Sequence, residues 1–132
     1  MDVETAFLNG DLDEVEYTSQ PQGYDDVTGK VCKLNKSLYG LKQAPRQWFH
    51  KFHQFMNKVK FKQSTADPCI FIRKEKARKI IICLYVDDLL IAWSDPDEVK
   101  TVINLLQNEF EVSKFAPATS RLQAVSRNKT GV

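Results

Sequence analysis

The sequence predicts an α+β fold: an antiparallel sheet with two helices on one face. Three observations carry this. The first is an amphipathic segment over 44–59. The second is a pair of apolar arms around Asp87-Asp88. The third is a capped apolar stripe over 96–110, which gives the order strand, helix, hairpin, helix.

The elements follow in chain order. Residues 2–8, Asp-Val-Glu-Thr-Ala-Phe-Leu, read as the end of a strand running into a turn at Asn9-Gly10. Residues 18–30 are polar, hold Pro21, Gly23 and Gly29, and read as loop. Val31 to Leu34 reads as a short strand. In 44–59, Pro45 suits the start of a helix, and Trp48, Phe49, Phe52, Phe55, Met56 and Val59 recur on one face of a 3.6-residue period. Plain core packing explains that aromatic stripe. Cys69 to Ile72 is β-rich, and Arg73 to Lys79 reads as a charged connection. Ile80–Val86 and Leu89–Trp93 read as hairpin arms. Both are apolar throughout, so burial on both faces is expected. Asp95 reads as an N-cap, with Pro96 at the first helical position and Glu98 completing a capping box. Val99, Val102, Ile103, Leu106 and Phe110 form the second helix's stripe. The periodicity stops after Lys114, so 114–132 is expected to be a disordered, divergent tail beyond a domain of residues 1–113.

With 132 residues, 42% hydrophobic and 27% charged, the chain has the composition of one globular domain. No apolar run approaches the ~20 residues of a membrane span, and no signal peptide is evident. Cys32, Cys69 and Cys83 are odd in number and lack a C-x-x-C pair. They read as reduced thiols of an intracellular protein; nucleus and cytoplasm stay open. His50 and His53 read as residues of a solvated helix face. Residues 1–29 hold eight acids and no Lys or Arg, whereas 30–79 hold fourteen Lys/Arg and two acids. A basic block between acidic flanks fits either a polyanion-binding face or a fold whose blocks neutralise each other.

The sharpest chemistry is Tyr85-Val86-Asp87-Asp88. Two carboxylates ~4–6 Å apart repel unless a cation sits beside them. Hard Mg²⁺ binds through one or two carboxylates plus substrate phosphates. Two such ions about 3.5–4 Å apart activate a hydroxyl and stabilise a leaving oxygen. A two-metal scheme needs a third acid from elsewhere, and Asp2 is the candidate. Asp is also ordinary turn chemistry, and the hairpin alone leaves both readings open.

Asp2-Val-Glu-Thr-Ala-Phe-Leu-Asn-Gly10 resembles the first catalytic motif of copia-type (Ty1/copia) retrotransposon reverse transcriptases. Lys33-Leu-Asn-Lys-Ser-Leu-Tyr-Gly-Leu-Lys-Gln-Ala-Pro-Arg-Gln-Trp48 resembles their second motif block, and Tyr85-Val-Asp-Asp88 the third. Gln20-Pro-Gln-Gly23 and Ser64-Thr-Ala-Asp-Pro-Cys-Ile-Phe71 also read like that family, in the right order over about residues 1–113. The resemblance implies an incomplete palm. In it Asp2, Asp87 and Asp88 are catalytic and hold two Mg²⁺ ions, with Mn²⁺ as a substitute. It implies nucleotide contacts from Val3 (through its backbone carbonyl), Phe7 (an aromatic gate against a 2′-hydroxyl), Tyr39 and Gly40. It implies contacts to an RNA or DNA template-primer from Lys42, Ala44, Pro45, Arg46 and Tyr85. The implied activity is RNA-directed DNA polymerisation from a dNTP, with no membrane partner.

The family has residues before its first motif, where this chain has only Met1, and this chain lacks the thumb and RNase H segments. The expectation is therefore a fragment not active alone, in which Asp2 frays and the hairpin keeps an open apolar edge. Whether another chain supplies the missing palm and fingers strands stays open. The alternatives are a non-catalytic nucleic-acid-binding module or a degenerate element relic. Trp93 also stands where the family often has a small residue.

Overall fold

The computed structural model describes residues 1–24 and 26–113. The expected tail at 114–132 lies outside the described residues. The elements are β1 (Tyr17–Thr18), β2 (Cys32–Lys33), α1 (Ala44–Lys58), β3 (Lys62–Gln63), β4 (Ile70–Glu75), β5 (Arg78–Tyr85), β6 (Asp88–Trp93) and α2 (Pro96–Glu109), with a 3₁₀ turn at Ala6–Asn9. β1 and β2 form a small antiparallel ribbon. β3-β4-β5-β6 form a four-stranded antiparallel sheet in sequence order. The fold is thus α+β with both helices packed on one sheet face, as the sequence predicts.

Pairing register shows why one sheet face is dry. Phe71 pairs with Ile82, Ile82 with Ile91, and Leu84 with Leu89. These residues and Ile80 are buried. They face Trp48, Phe52, Phe55 and Met56 of α1 and Val99, Val102 and Leu106 of α2. Phe110 joins the layers, its ring 5.2 Å from both Trp48 and Phe55 in edge-on geometry. The opposite face carries Ile70, Ile72, Ile81, Cys83, Leu90 and Ala92, since side chains alternate along a strand. None of these six is buried, and Leu90 is 48% exposed. The expected burial of the hairpin on both faces is therefore not met, because both helices cover the same side.

Local chemistry sets the boundaries. The expected charged connection over Arg73 to Lys79 is mostly strand, and only Lys76 and Ala77 lie between β4 and β5. Lys74 pairs with Lys79 and Glu75 with Arg78, so cross-strand alignment overrides polar composition. Asp95 caps α2 by accepting from the N–H groups of Asp97 (2.9 Å) and Glu98 (3.4 Å). Glu98 does not close the expected capping box. Its carboxylate meets Arg73 of β4 at 3.1 Å, with the two side chains 11% and 12% exposed. Arg73 also donates to the Val59 carbonyl and lies over the Phe61 ring. The first segment is shorter as strand than expected: Asp2 and Val3 make isolated bridges, and the chain then coils into the 3₁₀ turn. Gly10 matters there for space. A Cβ would sit 2.9 Å from Gln47 Cβ, so glycine lets this turn rest on α1.

The three cysteines are free thiols. His50 is exposed, while His53 is half-buried and stacks on Phe49. The charged blocks partly neutralise each other. Asp11 pairs with Lys36 and Lys51, and Arg78 with Asp95. Among the described residues, no helix is long and apolar enough to cross a membrane.

Candidate active site at the hairpin tip

The backbone ladder brings the first acid to the second pair. The Val3 N–H donates to the Asp87 carbonyl (2.7 Å) and the Leu89 N–H to the Met1 carbonyl (2.7 Å). The Met1 amine donates back to the Leu89 carbonyl. Asp2 thereby lies opposite Asp88 as an antiparallel bridge between those bonds. This is the non-hydrogen-bonded kind of pair, in which Cα atoms come to about 4.5 Å and side chains stand closest. Asp2 and Asp88 therefore share one face of the sheet, the face opposite the helices.

Asp2 is held from its other side too. The Ser113 N–H donates to its carbonyl (2.8 Å), and its own N–H donates to Ser113 Oγ (2.9 Å). The Glu4 N–H donates to the Glu111 carbonyl, and Val3 bridges Val112. The expected fraying of Asp2 is thus corrected: the segment after α2 returns to pin it. No periodicity marks Ser113, so nothing in the sequence announced this contact.

Asp87 takes a different position. Tyr85 pairs with Asp88, so the turn residues are Val86 and Asp87, one step earlier than the expected Asp87-Asp88. Val86 has φ 57°, a left-handed conformation rare for a β-branched residue. The Trp48 indole N–H donates to the Val86 carbonyl at 2.6 Å, tying α1 to the tip. The sequence marks Trp48 as a core residue at the end of the second motif block, without a link to the hairpin. The available signal was that a buried indole N–H needs an acceptor. Thr5, also at positive φ (51°), follows the Asp2 segment. Non-glycine residues in this conformation persist where their surroundings hold them.

The chemistry of the donors suits a hard divalent cation, since carboxylate oxygen is its preferred ligand. Among the described residues, no Lys, Arg or His pairs with Asp2, Asp87 or Asp88. No group of three or more His, Cys, Asp or Glu among the described residues is gathered tightly enough to hold a metal. The geometry is thus a cross-strand residue pair, Asp2 with Asp88, and a third acidic residue, Asp87, in the adjoining turn. A groove of about 430 Å³ lined by Met1, Cys83, Tyr85, Asp88, Leu89 and Leu90 runs beside them. Tyr85 is 75% exposed there.

The remaining candidates fall into two groups. Phe7 and Tyr39 come together, ring centroids 4.4 Å apart and tilted by 43°. Gly40 follows with φ 96°, a conformation that favours glycine. Phe7 also lines an open apolar pocket of about 230 Å³ with Pro45, Trp48, Phe49, Cys69, Leu84 and Val86. Burial of Cys69 there, chiefly, with nearby Asp67, pushes its thiol pKa up, so it is a poor nucleophile. Val3 packs its side chain in the core. Lys42, Pro45 and Arg46 are exposed around the start of α1, while Ala44 is buried against the fold.

Comparison with known proteins follows the same outline. The family model described as reverse transcriptase (RNA-dependent DNA polymerase) matches residues 1–131. The chain is 46% identical over 122 residues to the retrovirus-related Pol polyprotein from transposon TNT 1-94 of Nicotiana tabacum, covering 89% of this chain and 9% of that protein. It is 38% identical to the corresponding polyprotein from transposon RE1 of Arabidopsis thaliana, covering 85% of this chain and 8% of that protein. The RE2 polyprotein of the same plant is 37% identical, covering 86% and 8%. The chain spans less than a tenth of the length of these relatives. No solved structure matches it.

Proposed function

The chain belongs to the reverse transcriptase (RNA-dependent DNA polymerase) family, and from that premise we propose that it is the part of a copia-type polymerase that carries the catalytic acids. The reaction is nucleotidyl transfer. A primer 3′-hydroxyl oxygen attacks the α-phosphorus of a dNTP and gives up its proton to solvent, a phosphodiester forms, and pyrophosphate leaves with the electrons of the broken P–O bond. The single observation that supports this reading is the Asp2–Asp88 bridge. It sets two acidic residues from distant parts of the sequence directly opposite each other across the ladder.

Each residue then has a task. Asp2 and Asp88 would hold Mg²⁺, or Mn²⁺ in its place, with Asp87 completing the set in the presence of substrate. When bound, the cation would lower the pKa of the attacking hydroxyl and neutralise charge on the leaving oxygen. The Val3 carbonyl would reach the nucleotide-bearing ion. The Phe7–Tyr39 pair would lie beneath the incoming sugar and crowd a 2′-hydroxyl, with Gly40 letting the backbone turn away. Lys42 and Arg46 would contact template phosphate beside Ala44 and Pro45, supplying salt-sensitive affinity without sequence preference. Tyr85 would lie against the primer terminus along the adjoining groove. The RNA or DNA template-primer and the dNTP are the proposed partners, and other polymerase segments would complete the palm and fingers.

Primer extension with Mg²⁺ or Mn²⁺ tests the reading. The 132-residue chain is assayed beside a Pol polypeptide containing it. The expected result is extension by the longer polypeptide, abolished by Asp87→Asn, and little or none by the chain alone. Extension that survives Asp87→Asn would overturn the assignment. A non-catalytic binding module instead predicts nucleic-acid affinity indifferent to divalent metal and to both hairpin acids.

A further inference from the structure

We infer that Trp48 is a positioning residue: its indole N–H holds the strained turn that presents Asp87 and Asp88. The inference rests on the reading of those acids as the catalytic pair. Trp48 is 2% exposed and sits one turn into α1. Its ring is fixed by Phe52 at 5.6 Å and Phe110 at 5.2 Å. From that rigid seat its Nε1–H donates to the Val86 carbonyl at 2.6 Å. Val86 is the first of the two turn residues and has φ 57°. A β-branched side chain resists that conformation, so the turn relaxes elsewhere unless something holds it.

The consequence reaches all three acids. Asp87 is the next residue, and its carbonyl accepts the Val3 N–H that sets Asp2 opposite Asp88. A turn that relaxes at Val86 therefore moves Asp87 and loosens the bond that fixes the Asp2 register. Core packing alone does not require this link, because a phenylalanine fills a similar site without a donor. Glycine at 86 would remove the need for the anchor, since it adopts positive φ freely. The indole donor and the Val86 strain are thus coupled, and the coupling is measurable.

The test uses the 132-residue chain and four forms: wild type, Trp48→Phe, Val86→Gly and the double variant. Amide hydrogen exchange reads the register at the Val3 and Leu89 N–H groups. Trp48→Phe should speed exchange there about tenfold, the equivalent of one lost hydrogen bond to the turn. The amides of Phe52 and Phe55 within α1 should keep their rates. Adding Val86→Gly should restore protection. Equal acceleration in α1 marks a purely structural tryptophan and overturns the inference, as does unchanged Val3 exchange or failure of the glycine rescue. Should Trp48→Phe not fold, benzothienylalanine at position 48 keeps the bicyclic shape and lacks only the N–H. In parallel, Mn²⁺ titration should show about tenfold weaker binding in Trp48→Phe, the same one-bond cost, with rescue in the double variant. If wild type binds no Mn²⁺, the catalytic reading of the acids fails, while the exchange data still decide the role of Trp48.

Discussion

Two acidic residues set directly opposite each other by backbone pairing are a local cost. Like charges directly opposite across strands destabilise a sheet by about 0.2–1 kcal/mol. Asp88→Asn is therefore expected to raise the melting temperature of the metal-free chain while abolishing polymerase function in the longer polypeptide. A thermal melt in chelator checks the first half, and an unchanged or lower melting temperature would contradict the proximity of Asp2. Asp11 works in the opposite sense. Its hydrogen bonds to Lys36 and then Lys51 hold its pKa below the ordinary carboxylate value. A carboxylate with a lowered folded pKa stabilises the fold above its unfolded pKa, and that stability is lost as pH falls through the folded value. Asp11→Asn should therefore flatten the acid limb of the stability profile below about pH 4, near the unperturbed carboxylate pKa. The effect should shrink in high salt, because the pair is exposed. At this scale the sequence singled out Asp2 and Asp88, which the fold sets opposite each other. It did not show that Val86 rather than Asp88 lies in the turn, because strand register depends on neighbours that no local pattern encodes.

Helices were the most legible elements. The aromatic period of α1 and the Asp95-Pro96 start of α2 gave their positions to within two residues. Both arms of the β4–β5 hairpin were legible, but not their reach across Arg73–Glu75 and Arg78–Lys79, since those strand ends are charged and held by cross-strand pairing. Nor was the role of Glu98, whose local capping option loses to Arg73. That ion pair joins β4 to α2 with Arg73 Nε and Glu98 Oε2 buried and unbonded. Removing one partner strands the other charge, which costs about 3–5 kcal/mol, whereas replacing both with apolar residues is often neutral or stabilising. Arg73→Met should therefore destabilise the chain strongly in urea, and adding Glu98→Leu should recover most of the loss. Additive losses in the double variant would show that the pair itself stabilises the fold.

At the scale of the whole molecule, the two sheet faces divide the work. One is closed by α1 and α2 and makes the core. The other carries Asp2 and Asp88 at one end, a strip of Cys83, Leu90, Ile81 and Ile72, and Lys62 and Lys74 at the far edge. The α+β class and the helix side were readable because hydrophobic periodicity encodes them. The return of residues 111–113 to Asp2 was not, and it turns an expected loose end into a ladder. The most direct measurement is Mn²⁺ binding by electron paramagnetic resonance to the wild-type chain, Asp2→Asn and Asp88→Asn. Saturable binding by wild type and a matching loss in both variants are expected, since the bridge sets Asp2 and Asp88 side by side. Undiminished binding in Asp2→Asn would contradict that expectation.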